Sequence, residues 1–82
     1  MFSGIRLKER RIEKGYSQTE IANFLEINRA SYSKWESGKT IPNQKNLSTL
    51  ATILDVPATY FESEYKIVNT YLQLNKNYRS VL

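Results

Sequence analysis

Apolar residues recur along this chain at intervals of three and four, the spacing of one face of an α-helix, and show no strand-like alternation. The clearest stripe lies in the middle of the sequence, at Leu47, Leu50, Ala51 and Leu54. The pattern predicts helices at residues 5–14, 17–25, 29–37, 44–54 and 58–61, and one more from residue 64 onward. We therefore expect an all-α fold, with a compact five-helix unit in residues 1–62 and a C-terminal helix in residues 63–82.

Helix-capping and helix-ending residues lie where this pattern breaks. Residues 17–20, Ser-Gln-Thr-Glu, form a capping box, because the serine hydroxyl and the glutamate carboxylate can each accept from the other residue's backbone amide. Asn28 and Asn43 are suitable N-caps for the third and fourth helices. Gly15 and Gly38 follow the first and third helices, where a left-handed residue often ends a helix.

The second and third predicted helices are separated by only three residues, 26–28. Two helices joined by so short a turn cross steeply, and the second of them projects from the fold. On this projecting helix Tyr32 and Trp35 can face inward and pack in the core, which we favour over a base-stacking role. The outer side is short, polar and basic, with Arg29, Ala30, Ser33 and Lys34. Such a helix can enter the major groove of DNA, which is about 12 Å wide.

The composition excludes several classes of function. The chain has 82 residues, which is one small domain, and it contains neither Cys nor His. Thiol chemistry, zinc binding by the usual ligands and imidazole catalysis are therefore ruled out. The sequence also has no glycine-rich phosphate loop and no nucleophile elbow, so we expect no enzyme activity, no metal and no cofactor. Without a membrane-length apolar run or a signal-peptide pattern, we expect a soluble cytoplasmic protein with no membrane partner.

The net charge of +4 is unevenly distributed along the chain. Residues 1–45 hold nine Lys and Arg against five Glu, whereas residues 46–82 hold three basic and three acidic residues. A basic half favours a polyanionic partner, because Lys and Arg that displace counterions gain affinity for any nucleic acid. Ordinary surface charge explains the same excess equally well, so the charge alone does not decide between the two.

Four segments of the sequence together form a family signature. They are Ser17-Gln18-Thr19-Glu20-Ile21-Ala22, Ile27-Asn28-Arg29, Ser33-Lys34-Trp35-Glu36-Ser37-Gly38-Lys39 with Pro42, and Leu50-Ala51-Thr52-Ile53-Leu54-Asp55-Val56. This series resembles the Cro/CI-type (XRE) helix-turn-helix family over about residues 5–61, with the motif itself at about 17–37. The resemblance implies a lambda-repressor-like fold and a sequence-specific regulator of transcription that binds double-stranded DNA. It further implies a phage or mobile-element repressor that binds an inverted-repeat operator as a homodimer, with residues 29–37 in the major groove.

The resemblance also assigns roles to individual residues. The base-reading positions would be Arg29, Ala30, Ser33 and Lys34. The phosphate-contacting positions would be Gln18, Asn28, Ser31, Ser37, Lys39 and Thr40. Gln18 could instead brace the recognition helix, Asn28 is a helix cap first, and the charged positions could simply be solvated. Arg11 and Glu36 resemble the internal ion pair of the family, which we hypothesise sets the angle of the recognition helix.

One position departs from the family pattern. The turn residue that is often glycine in this family is Glu26 here. If its backbone is left-handed, the side chain costs about 1 kcal/mol. This departure affects the expected turn geometry and leaves the fold assignment unchanged.

The segment after residue 61 admits two interpretations. Residues 65–75 resemble the connector that, in longer repressors, joins the DNA-binding head to a LexA-like self-cleaving domain. Alternatively, the last helix pairs two subunits of a small repressor. For the whole chain, the alternatives to an operator-binding repressor are an antitoxin or restriction-modification controller of the same fold, or a protein-interaction module whose basic face is incidental.

Overall fold

The computed structural model describes residues 1–63, and the predicted helix from residue 64 onward lies outside them. Within that range the chain forms four α-helices followed by one 3-10 turn. These elements are α1 (Gly4–Glu13), α2 (Gln18–Phe24), α3 (Arg29–Glu36), α4 (Gln44–Leu54) and the 3-10 turn Ala58–Phe61. The all-α prediction is confirmed for this part of the chain, but the predicted fifth helix is a single 3-10 turn. No helix among residues 1–63 is long and apolar enough to cross a bilayer.

The predicted caps hold α2, α3 and α4 at their N-termini. The Ser17 hydroxyl accepts from the Glu20 amide at 3.0 Å, and the Glu20 carboxylate accepts from the Ser17 amide at 2.8 Å, so the capping box is confirmed. The Asn28 side chain accepts from the Ser31 amide at 2.7 Å, and Asn43 caps α4 in the same way. Each cap satisfies an amide that the first turn of a helix leaves without a partner.

Two non-glycine residues adopt left-handed backbone conformations at helix ends. Glu26, with φ 58°, lies in the turn between α2 and α3, as expected if it replaces a glycine. Asp55, with φ 56°, ends α4, and the sequence did not predict this. Each left-handed residue with a side chain costs about 1 kcal/mol relative to glycine, so the turns are set by the surrounding packing.

The core lies between all five elements. Ten apolar side chains are buried in it: Leu7, Ile21, Ala22, Tyr32, Trp35, Leu47, Leu50, Ala51, Leu54 and Phe61. Tyr32 is fully buried and Trp35 is 7% exposed, and their rings meet edge to face with centroids 5.7 Å apart. The prediction that these two aromatic residues belong to the core is therefore confirmed.

The N-terminal residues are held against the end of the 3-10 turn. Phe2 and Glu62 form an isolated antiparallel bridge, and the Ser3 amide donates to the Phe61 carbonyl at 2.8 Å. The Ser63 amide donates to the Met1 carbonyl at 2.7 Å. These contacts fix the start of α1, whose first residue packs directly on the end of α3.

Candidate nucleic-acid interface

The two faces of α3 differ as the sequence predicted. Tyr32, Trp35 and Glu36 are buried. The opposite side exposes Arg29, Ala30, Ser31 and Lys34, while Ser33 is half-buried at the edge. The exposed face therefore consists of two cationic side chains and two small ones. The small side chains leave the helix backbone accessible.

The turn between α2 and α3 is closed by backbone hydrogen bonds. The Ile27 amide donates to the Ala22 carbonyl at 3.0 Å, and the Leu25 amide donates to the Ile21 carbonyl at 3.1 Å. Ile21 and Ala22 of α2 lie in the same core cluster as the inner residues of α3. The turn and the shared core together hold the exposed face of α3 in a fixed position relative to α2.

The Glu36 carboxylate joins three helices at the end of α3. Arg11 of α1 donates to it through Nε at 2.6 Å and through Nη2 at 3.2 Å. Gln18 of α2 donates through Nε2 at 2.9 Å, and Tyr32 donates through its hydroxyl at 2.5 Å. Gln18 thus braces α3 in this structure. We call these four side chains, Arg11, Gln18, Tyr32 and Glu36, the Glu36 network.

The network shifts the acidity of its members. Burial raises the pKa of Glu36, but the hydrogen bonds from Arg11, Tyr32 and Gln18 outweigh it, so the net pKa lies below the ordinary value. The hydrogen bond to Glu36 raises the pKa of Arg11. Burial and the same carboxylate raise the pKa of Tyr32. Arg11 and Tyr32 therefore stay protonated, and the Glu36 carboxylate stays ionised.

Acid should weaken the fold through Glu36. Because the folded-state pKa of Glu36 is lowered, its contribution to stability is complete above the unfolded value, about 4.5, and is lost as the pH falls through the folded value. We expect the free energy of unfolding, measured with urea from about pH 7 to about pH 3, to fall below about pH 4.5. Glu36→Gln should flatten that fall, and an identical pH dependence in both proteins would show that Glu36 does not cause it.

The remaining predicted phosphate contacts lie at the two ends of α3. Asn28 is exposed at its start, where the side-chain oxygen is occupied by the cap. Ser37 follows its last residue, and the Ser37 hydroxyl donates to the Lys34 carbonyl at 3.2 Å. Lys39 and Thr40 are exposed in the next loop, and their amides both donate to that carbonyl. The structure therefore gathers these residues around the exposed face of α3.

All three arginines of α1 donate to groups within the fold, although Arg6 stays exposed. Arg6 donates to the Tyr60 carbonyl at 2.8 Å, and Arg10 donates through Nε to the Leu54 carbonyl at the C-terminus of α4, also at 2.8 Å. Arg11 belongs to the Glu36 network. The basic side chains left exposed in residues 1–45 are Arg6, Lys8, Lys14, Arg29, Lys34, Lys39 and Lys45. The charge available to a polyanion is therefore carried by five lysines, by Arg29 and by Arg6.

Two features of this region were missed in the sequence analysis. The Tyr32 hydroxyl is a partner of Glu36, although the spacing of four residues on one helix could have indicated it. Lys8 lines a groove beside α3 together with Gln18, Ser33, Glu36 and Ser37. Its position three residues before Arg11 was the available signal, since residues three apart share a helix face.

Comparison with known proteins gives consistent matches. The helix-turn-helix family model matches residues 7–61. The SPbeta prophage-derived uncharacterized HTH-type transcriptional regulator YonR of Bacillus subtilis (strain 168) is 47% identical over 57 residues, which are 70% of this chain and 53% of that protein. The ImmF control region 10 kDa protein of Bacillus phage phi105 is 36% identical over 53 residues, 65% of this chain and 59% of that protein. The chain thus spans only about half the length of these two relatives.

A solved structure shares the fold. The P22 c2 repressor protein, crystallised in complex with synthetic operator 9T, superposes with a TM-score of 0.68 at 26% sequence identity. The match covers 74% of this chain and 92% of that one.

Proposed function

Since the chain belongs to the helix-turn-helix family of DNA-binding transcription regulators, we propose that it is the operator-binding head of a phage or mobile-element repressor acting on cytoplasmic DNA. The single observation that carries the proposal is the division of α3 into a buried aromatic face and a slim exposed basic face. Its similarity to a prophage regulator and to an operator-bound repressor supports the same conclusion.

In this proposal α3 lies in the major groove and reads base edges. Arg29 and Lys34 are exposed, and both can donate to guanine O6 and N7, the commonest specific contact in that groove. Ala30 can touch a thymine methyl group, and Ser33 can donate to or accept from a base edge. The absence of a long side chain at Ala30 lets the helix backbone come close to the bases.

The residues around α3 would position it on the sugar-phosphate backbone. Gln18, Asn28 and Ser31 lie near the start of the motif, and Ser37, Lys39 and Thr40 lie just past the end of α3. Contacts of this kind fix register and orientation without carrying sequence information.

Two copies of the chain would read one operator. A single α3 covers one half-site, and a two-fold dimer places its two recognition helices about one helical turn apart on an inverted repeat. Pairing of two weak half-site contacts raises affinity through effective concentration.

Selection of bound sequences from a random duplex pool tests the proposal directly. With the 82-residue chain at near-physiological salt, we expect recovery of an inverted repeat whose half-sites are about 10 base pairs apart. Recovery of no motif, from this chain and from a longer one that includes any downstream domain, would overturn operator binding and favour a protein-interaction module.

Alanine substitutions distinguish reading residues from positioning residues. Arg29→Ala should cost about 1–3 kcal/mol of binding free energy and relax the preference at one base pair. Lys39→Ala should weaken binding to all sequences alike, because a phosphate contact is independent of sequence. Repeating the selection with each variant measures both effects, and a uniform loss from both variants would contradict the proposed division of roles.

A further inference from the structure

A polar groove runs between α1, the start of α2 and the C-terminal half of α3. It is lined by Lys8, Gln18, Ser33, Glu36 and Ser37. Ser33 lies at the half-buried edge of α3, and Ser37, four residues later, is exposed just after the end of that helix. The groove is therefore continuous with the surface proposed to meet DNA, and α1 contributes to it only through Lys8.

The register of α1 directs Lys8 toward this groove. Gly4 and Arg11, four residues before and three residues after it, share its helix face. Gly4 packs against the backbone carbonyls at the end of α3, and Arg11 binds Glu36. Lys8 lies between these two contacts, is exposed, and forms no ion pair within residues 1–63.

The floor of the groove is electrically balanced. A free carboxylate at Glu36 would repel an anion, but this one accepts four hydrogen bonds and pairs with the Arg11 guanidinium. Its negative charge is therefore compensated from inside the fold, and Lys8 adds an uncompensated positive charge at the rim. The Ser37 hydroxyl, which donates to the Lys34 carbonyl at 3.2 Å, can turn to donate to a ligand instead.

We propose that this groove binds one backbone phosphate of duplex DNA, with Lys8 supplying the charge and the Ser37 hydroxyl supplying a hydrogen bond. The inference rests on the proposed operator binding, because the same α3 that reads the bases forms one wall of the groove. The phosphate contact from α1 then fixes the rotation of the whole head about α3. A charge with this role changes affinity for all sequences equally and leaves base preference unchanged.

The test is the salt dependence of Lys8→Gln binding to the selected operator. Each lost phosphate contact should reduce the slope of log affinity against log salt by about 0.9 per protomer. Between about 50 and about 200 mM salt, that corresponds to roughly a threefold to fourfold smaller change in affinity for each contact. Lys14→Gln is the matched control, since Lys14 is an exposed lysine at the end of α1 that does not line the groove. Its slope should equal that of the wild type.

A second readout locates the contact on the DNA. Ethylation of one phosphate per half-site should impair binding of the wild type and of Lys14→Gln, but have no further effect on Lys8→Gln. If Lys8→Gln keeps the wild-type slope and the wild-type ethylation pattern, the phosphate site is wrong while operator binding stands. If the wild-type chain selects no operator at all, the proposed function and this inference both fail.

Discussion

Replacing Arg11 with methionine should lower the free energy of unfolding by about 3 kcal/mol or more. The side chains of Arg11 and Glu36 are only 11% and 4% exposed, so the variant leaves a buried carboxylate without its cation. Tyr32 and Gln18 still donate to it, but neither carries a charge. Removal of one partner from a buried ion pair typically costs about 3–5 kcal/mol, because the other charge stays desolvated.

Urea denaturation at about pH 7 measures this loss, and a double variant supplies the control. Arg11→Met combined with Glu36→Gln removes both charges, keeps an acceptor for the Tyr32 hydroxyl, and should be less destabilised than Arg11→Met alone, because no buried charge is left without a partner. A loss below about 1 kcal/mol in the single variant, typical of an exposed pair, would contradict the buried role of the network.

The same variant tests whether the Glu36 network sets the angle of α3. Under conditions where Arg11→Met remains folded, we expect weaker operator binding and altered sequence preference, because α3 loses its tie to α1. Unchanged affinity and unchanged preference in a folded protein would mean that the ion pair does not position the helix.

Substitution of Gly4 with alanine should also destabilise the protein, by about 3 kcal/mol. At most helix positions this change stabilises by about 0.5–1 kcal/mol, so the expected sign is reversed. A Cβ at Gly4 would clash with the Trp35 carbonyl oxygen and lie 2.5 Å from that of Glu36. Both are backbone atoms that cannot turn aside, so α1 would have to move away from α3.

Thermal or urea unfolding of Gly4→Ala measures the effect, with Ile5→Ala as its neighbour control. Ile5 is 60% exposed, and its truncation should change stability by less than about 0.5 kcal/mol. A Gly4→Ala protein as stable as the wild type would show that the two helices are less closely packed at this point.

Features of the fold that depend on neighbouring residues were predictable from sequence. The capping box at residues 17–20 and the Asn28 cap involve partners three residues apart, so the sequence displays both members of each pair. The family pattern marked Glu26 as a position where the backbone is left-handed or the turn is wound differently, and the structure shows the first of these. The prediction of a fifth helix was wrong in type. The four residues after Pro57 form only one 3-10 turn.

Features that depend on distant residues were less accessible. The sequence offered Arg11 and Glu36 as a pair only through family resemblance, since 25 residues separate them. The exposure and position of Lys8 depend on how α1 lies across α3, which no local pattern determines. The requirement for glycine at position 4 arises from the same crossing, because its close contact is with the end of another helix.

The separation of the two faces of α3 has an evolutionary consequence. The residues that hold this helix in place lie inward, whereas Arg29, Ala30 and Lys34 are exposed. Substitutions at exposed positions usually change stability by less than about 0.5 kcal/mol. If α3 reads an operator as proposed, single substitutions at these exposed positions can therefore change the preferred sequence while leaving folding intact, and two related copies of the chain can diverge until neither binds the other's sites.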